Sequence, residues 1–152
     1  MLMDMIPVEP SLKTRADKIL KENRLSLTGS RRSVLQLFLS NRSALDHAQI
    51  EKGTSEQFDR VTIYRTLQSF LEKGIIHSIP TKDNSTLYAL CREDCGQGHH
   101  HDNHVHFLCS QCAITTCLDE VLIPEVRLPQ GFKPLDAQMT VTGICKRCRE
   151  LA

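Results

Sequence analysis

An α+β chain in two lobes is predicted by three features of residue order. Four short segments with apolar residues at helical spacing come first, two brief β-like runs joined by a polar turn follow, and two Cys-x-x-Cys pairs bracket the remainder. The end of the second β-like run divides the chain into residues 1–91 and residues 92–152. Each lobe then has its own source of stability: an apolar core in the first and a metal staple in the second.

The first helix is expected over residues 11 to 24, where Leu12, Ala16, Ile19 and Leu20 recur at helical spacing. Leu27-Thr28-Gly29-Ser30 supplies a break and a hydroxyl cap before a second run, Ser33 to Leu39. Asp46 can cap a third helix over residues 47 to 52, and Asp59 a fourth over residues 60 to 73. Gly74 follows that fourth helix, where a left-handed C-terminal residue is needed. Its core-facing stripe is read as Val61, Tyr64, Leu67 and Leu71, which leaves Arg60, Thr62, Arg65 and Gln68 pointing elsewhere. Ile75 to Ile79 and Thr86 to Leu90 then form a hairpin across Lys82-Asp83-Asn84-Ser85. Helices followed by a hairpin is the order of a winged helix, in which one helix enters the major groove of DNA and the wing meets the backbone or minor groove. The reader is the helix over residues 60 to 73. Arg65 has the fork suited to guanine or phosphate, Thr62 and Tyr64 can donate to phosphate, and Lys82 sits at the wing tip.

Charge is nearly balanced over 152 residues, with 19 basic against 18 acidic side chains, but it is uneven along the chain. Between residues 11 and 32 seven Lys or Arg face two acidic residues, a stretch able to meet phosphate or to serve as a solvated helix face. There is no apolar signal segment near Met1 and no apolar run near the ~20 residues a membrane span needs. A cytoplasmic protein is expected, with its seven cysteines reduced and available to metal.

Cys109-Ser-Gln-Cys112 and Cys145-Lys-Arg-Cys148 point to a closed tetrahedral site, because thiolates two residues apart can bend over one ion and two such knuckles complete its shell. Disulfides are the competing reading. A histidine-rich run, His99 to His106, immediately precedes the first pair and favours metal.

Several of these segments carry a family resemblance. Val61-Thr62-Ile63-Tyr64-Arg65-Thr66-Leu67, Leu27-Thr28-Gly29-Ser30-Arg31, His104 to Cys112 and Gly143 to Cys148 resemble the ferric uptake regulator family, from about Leu12 to Cys148. The resemblance implies a homodimeric, metal-responsive repressor that binds a palindromic double-stranded operator and controls metal uptake, with a winged helix followed by an α/β dimerisation lobe. It implies structural zinc at Cys109, Cys112, Cys145 and Cys148, and DNA contacts at Arg31, Tyr64 and Arg65.

Which metal is sensed depends on donor chemistry, since iron and manganese favour nitrogen and carboxylate whereas a thiolate favours zinc. Pairing the hairpin strands brings His77 and Cys91 toward the lobe boundary, and His104 with His106 points two imidazoles to one face of a strand. The set His77, Cys91, His104 and His106 resembles the sensing site of zinc uptake regulators. Where iron and peroxide branches carry a sensing histidine this chain has Ala44, and the carboxylate expected five residues after the first Cys pair is Cys117. The auxiliary positions of many relatives are Asn103, Val105 and Ala137, so two zincs per chain are expected, with Fe2+ or Mn2+ as the rival regulatory metal. His101 or Cys117 is an alternative for one regulatory ligand, while Cys95 and the His99–His101 run are read as a loop without fixed metal. An iron-sensing regulator of the same family, a zinc-binding module without DNA binding and a zinc hydrolase are the other readings. The last would need an open metal position and a general base, and neither HExxH nor HxE…PCxxC occurs, so no enzymatic activity is expected.

Overall fold

A computed structural model describes residues 10–41, 43–55, 57–91, 104–135 and 137–152. Four helices, α1 (Leu12–Glu22), α2 (Gly29–Ser40), α3 (His47–Gly53) and α4 (Arg60–Lys73), precede an antiparallel hairpin of β1 (Ile76–Pro80) and β2 (Thr86–Leu90). The second lobe contains β3 (His104–Cys109), β4 (Thr115–Leu122), β5 (Met139–Gly143) and a short helix α5 (Lys146–Glu150). Its three strands lie in the order β4-β3-β5, antiparallel on one side of β3 and parallel on the other.

Every helix of the first lobe starts at a side-chain cap. Ser11 accepts from the Thr14 amide, Thr28 from Arg31, Asp46 from Gln49 and Asp59 from Thr62. At α3 the exchange is reciprocal: the Gln49 amide donates to Asp46 at 2.7 Å, and the Asp46 amide donates to the Gln49 side chain at 2.8 Å. Thr28 is the expected hydroxyl cap, so α2 begins at Gly29, four residues before the expected run, and of the expected break only Gly29 and Ser30 lie within the helix. Gly74 ends α4 in the left-handed region at φ 68°.

The expected inward stripe of α4 holds at Leu67 and Leu71, which pack in or against the core, and is overturned at Val61 and Tyr64. Ile63, Thr66, Leu67 and Phe70 face the core, whereas Val61 and Tyr64 are 57% and 54% exposed. Leu67 is common to both possible stripes, and one helix can bury only one side against a single core; beside it Ile63 and Phe70 offer more apolar area than Val61 and Tyr64. The buried stripe packs with Ala16, Leu20, Val34, Leu35, Phe38 and Ile50.

The hairpin is tied in both directions. Ile75 accepts from the Cys91 amide at 2.8 Å, so pairing extends one step beyond β2. Leu45 and Tyr88 exchange backbone hydrogen bonds of 2.9 and 2.8 Å, and the neighbouring Ala44 amide donates to Thr115 at 3.2 Å, which joins the wing to the second lobe. Ala44, Ile79 and Ala89 form a small apolar cluster against which Cys117 packs. Among the described residues no helix is long and apolar enough to cross a membrane.

The Asp59 carboxyl is held below its ordinary range, first by the Thr62 side chain and then by the Thr62 amide. A carboxyl depressed on folding stabilises above its unfolded value and loses that contribution as pH falls through its folded value. Asp59→Ala should therefore lower the thermal midpoint at pH 7, with the gap to the parent protein closing below about pH 4. Parallel melting curves at pH 7 and pH 3 check this; a gap that does not shrink in acid contradicts it.

Candidate metal centres and nucleic-acid interface

Strand β3 positions both groups of metal-type side chains. Its register against β5 pairs Cys109 with Gly143, placing the first Cys pair beside the segment that leads into the second. Ser110 donates to the Gly143 carbonyl through its amide at 2.8 Å and its hydroxyl at 3.1 Å, which locks the two knuckles together. The thiols of Cys109, Cys112, Cys145 and Cys148 converge within 4.8 Å of one another, and Cys112 Sγ lies 3.9 Å from Cys145 Sγ. A tetrahedron with Zn–S of about 2.3 Å has edges of about 3.8 Å, so the group fits zinc. The electrostatics agree. Backbone donors from Cys112 and then Cys145 hold the Cys109 thiol down to about 6. Cys148 is pushed up to about 12 by its hydrogen bond with Cys145 and by burial, so the last thiol resists ionising beside its neighbours unless a cation compensates.

The second group lies between the lobes. His104 and His106 are two apart on β3 and share one face, and the β3–β4 register sets Cys117 directly opposite His106. His77 enters from β1. Ligand atoms of His77, His104, His106 and Cys117 all lie within 4.8 Å of one another. His77 Nε2 is 3.2 Å from His106 Nε2 and 3.5 Å from Cys117 Sγ. Tetrahedral zinc with Zn–N of about 2.0–2.1 Å and Zn–S of about 2.3 Å would have N–N and N–S edges of about 3.3 and 3.5 Å. His77 and His106 are 6% and 2% exposed, so the donors stand largely out of water.

Of the expected set, His77, His104 and His106 belong to this close group. Cys91 lies outside the four mutually close donors; its Sγ is 3.3 Å from His77 Nδ1, on the opposite edge of the ring. Cys117, the alternative named above, is the fourth member of the close group because the β3–β4 register carries it to His106. Ala44 is 8% exposed and offers no donor. His101, Cys95, Asn103 and the His99–His101 run lie outside the described residues.

On the outer side of α4, Tyr64 and Arg65 are exposed and Thr62 is half-buried. Val61, Tyr64, Arg65 and Gln68 follow helical spacing on the side away from the core stripe. Lys82 is exposed in the wing turn, where Thr81 bonds the Ser85 carbonyl at 3.0 Å and Asn84 has a φ of 62°. Arg31 is half-buried and donates to Ser26 through its carbonyl, at 3.3 Å, and its hydroxyl. Arg32 is committed to Asp17 at 2.6 Å, so part of the basic stretch is internal structure.

A winged helix tied to a second lobe through metal-type donors has the architecture of a metal-responsive regulator. The ferric uptake regulator family profile matches residues 22–142, and the chain belongs to that family. It is 29% identical over 148 residues to the ferric uptake regulation protein of Bacillus subtilis, covering 90% of this chain and 96% of the relative. It is 30% identical over 141 residues to the Staphylococcus aureus protein of the same name, covering 89% and 96%. Among solved structures, a zinc uptake regulator complexed with zinc and DNA superposes with a TM-score of 0.67 at 23% identity, over 92% of this chain and 94% of that one. A zinc-bound manganese uptake regulator gives 0.58 at 17% identity, over 86% and 98%.

Cys145→Ser should remove one zinc per chain and cost the second lobe its cooperative unfolding, because structural zinc binding is coupled to folding. Metal analysis with circular dichroism melting tests this. A variant that keeps the parent's zinc content and melting curve contradicts the four-cysteine assignment.

Proposed function

We propose that this protein is a cytoplasmic, zinc-responsive transcriptional repressor that acts as a homodimer on palindromic DNA and controls metal uptake. The observation that carries the zinc reading is the donor set His77, His104, His106 and Cys117: three imidazoles and one thiol, with a buried alanine at Ala44. Soft sulfur with nitrogen suits zinc, whereas Fe(II) and Mn(II) regulation calls for more oxygen. The names of the sequence relatives favour iron as the second reading. No carboxylate joins this cluster among the described residues, which weighs against it.

When bound, zinc would supply a cross-link between the wing and the second lobe. His77 belongs to the hairpin that follows α4, while the other three donors belong to the β3–β4 pair. Drawing them together favours one arrangement of the lobes from a wider population, and so one separation of the two α4 helices in a dimer. Exposed Tyr64 and Arg65, with Thr62, then meet DNA, Lys82 meets its backbone, and Arg31 supports the entry to α2.

Homodimer formation is supported by the edge strand β5, whose Met139 and Val141 are exposed, as is Ile144 just after it. An open sheet edge with exposed apolar residues favours a second copy of the chain. Val141→Asp should shift the protein toward monomer in analytical ultracentrifugation; an unchanged dimer contradicts this surface.

Gel-shift titration on genomic fragments selected by the zinc-loaded protein tests the regulatory reading. Zinc should drive binding at concentrations where iron and manganese do not. Cys117→Ser should abolish the zinc response with the dimer intact, and Arg65→Ala should weaken the zinc-loaded complex by about 1–3 kcal/mol. Binding driven by iron but not zinc would transfer the protein to the rival reading.

A further inference from the structure

Val61 is 57% exposed at the second residue of α4, one turn before Tyr64 and Arg65 and on the side away from Ile63, Leu67 and Phe70. A single apolar side chain in water is ordinary; its place here is not. A recognition helix meets base edges with its N-terminal residues, and Val61 lies in the first turn of the helix assigned to the major groove. The surrounding polar groups are committed within the protein. Arg60 Nε donates to Glu51 of α3 at 3.0 Å, the Thr62 amide donates to the Asp59 cap at 2.6 Å, and the Thr66 hydroxyl donates to the Thr62 carbonyl at 2.9 Å. Apart from Arg60, the exposed residues between positions 60 and 67 are Val61, Tyr64 and Arg65.

The three do different chemistry. Arg65 can fork onto guanine or phosphate and Tyr64 can donate a hydrogen bond, but valine has neither donor nor acceptor. Its favourable contact is with another apolar group, and the apolar group that a base presents in the major groove is the C5 methyl of thymine. Charge favours duplex DNA as the occupant of this face. An exposed guanidinium one turn from Val61 attracts phosphate, whereas an apolar protein surface laid on Val61 would have to desolvate that cation.

We propose that Val61 is a specificity-determining residue, whose two methyl groups pack against the C5 methyl of one thymine in each half-site of the operator. The proposal rests on the DNA-binding reading above and adds a base preference that Arg65, a hydrogen-bond donor only, does not supply. Burying one such methyl is worth about fourfold in affinity per half-site.

Uracil tests this directly, because it differs from thymine only in lacking the C5 methyl. Zinc-loaded full-length protein is titrated against synthetic duplexes of its selected operator in which thymines are replaced by uracil one at a time. Such duplexes carry no 5-methylcytosine, so any penalty belongs to thymine. Uracil at one position per half-site should cost the parent about fourfold, and in Val61→Ala that penalty should vanish. Arg65→Ala should bind every duplex more weakly yet keep the uracil penalty, and Val61→Thr, which retains one methyl, should keep part of it. Val61 is exposed, so Val61→Ala should match the parent's melting curve, which shows that the lost discrimination is not unfolding. The assignment is overturned if no uracil substitution weakens the parent, or if Val61→Ala shows the parent's penalties. It is also overturned if Val61→Ala changes the oligomeric state instead of thymine discrimination, which would make Val61 a protein contact. A parent that forms no zinc-dependent complex with any duplex would overturn the DNA-binding reading and this assignment together.

Discussion

The pairing of β3 on both its edges is the constraint on which the rest of the metal chemistry depends. Against β5 it aligns Cys109 with Gly143 and so brings the two Cys pairs to one end of the sheet. Against β4 it aligns His106 with Cys117 and so completes the second donor group on one face. A shift of one residue would turn alternate side chains to the other face and dismantle the second group. The two donor groups are therefore linked: by anchoring the end of β3, the four cysteines hold the strand from which His104 and His106 project.

The same strand explains how a local binding event can reach DNA. The wing supplies His77, and its sheet is already joined to the second lobe through the Leu45–Tyr88 bridge and the Ala44–Thr115 hydrogen bond. The α4 helix ends at Gly74, immediately before this hairpin. Anything that draws His77 toward β3 thus acts on the segment following the exposed face of α4. No long relay is needed, because the wing is shared between the DNA-facing lobe and the cluster.

Features set by near neighbours were legible in the residues. Asp46, Asp59 and Gly74 mark helix ends because capping depends on a few adjacent atoms, and the hairpin follows from two apolar runs and a polar turn. The two Cys pairs were legible for the same reason, since thiols two residues apart need only a tight turn to meet. What escaped was set by packing. Val61 and Tyr64 continue the spacing of Leu67 and Leu71 as regularly as Ile63 and Phe70 accompany Leu67, and packing against the other helices decided which pair turned inward. Cys117 could be named as an alternative ligand, but its position opposite His106 depends on the β3–β4 register. His77 and Cys91 were correctly placed on one hairpin, yet their spacing alone could not tell which ring nitrogen each neighbour would face.

The central claim is that zinc couples the wing to the second lobe through His77, His104, His106 and Cys117. Hydrogen exchange with mass spectrometry, comparing protein with only its four-cysteine site filled and protein given a second equivalent of zinc, tests that coupling directly. Protection should rise together in the hairpin over residues 76–90 and in the β3–β4 pair, while the amides of α1 and α2 remain unchanged. Protection confined to the second lobe, with the hairpin exchanging as before, would contradict it.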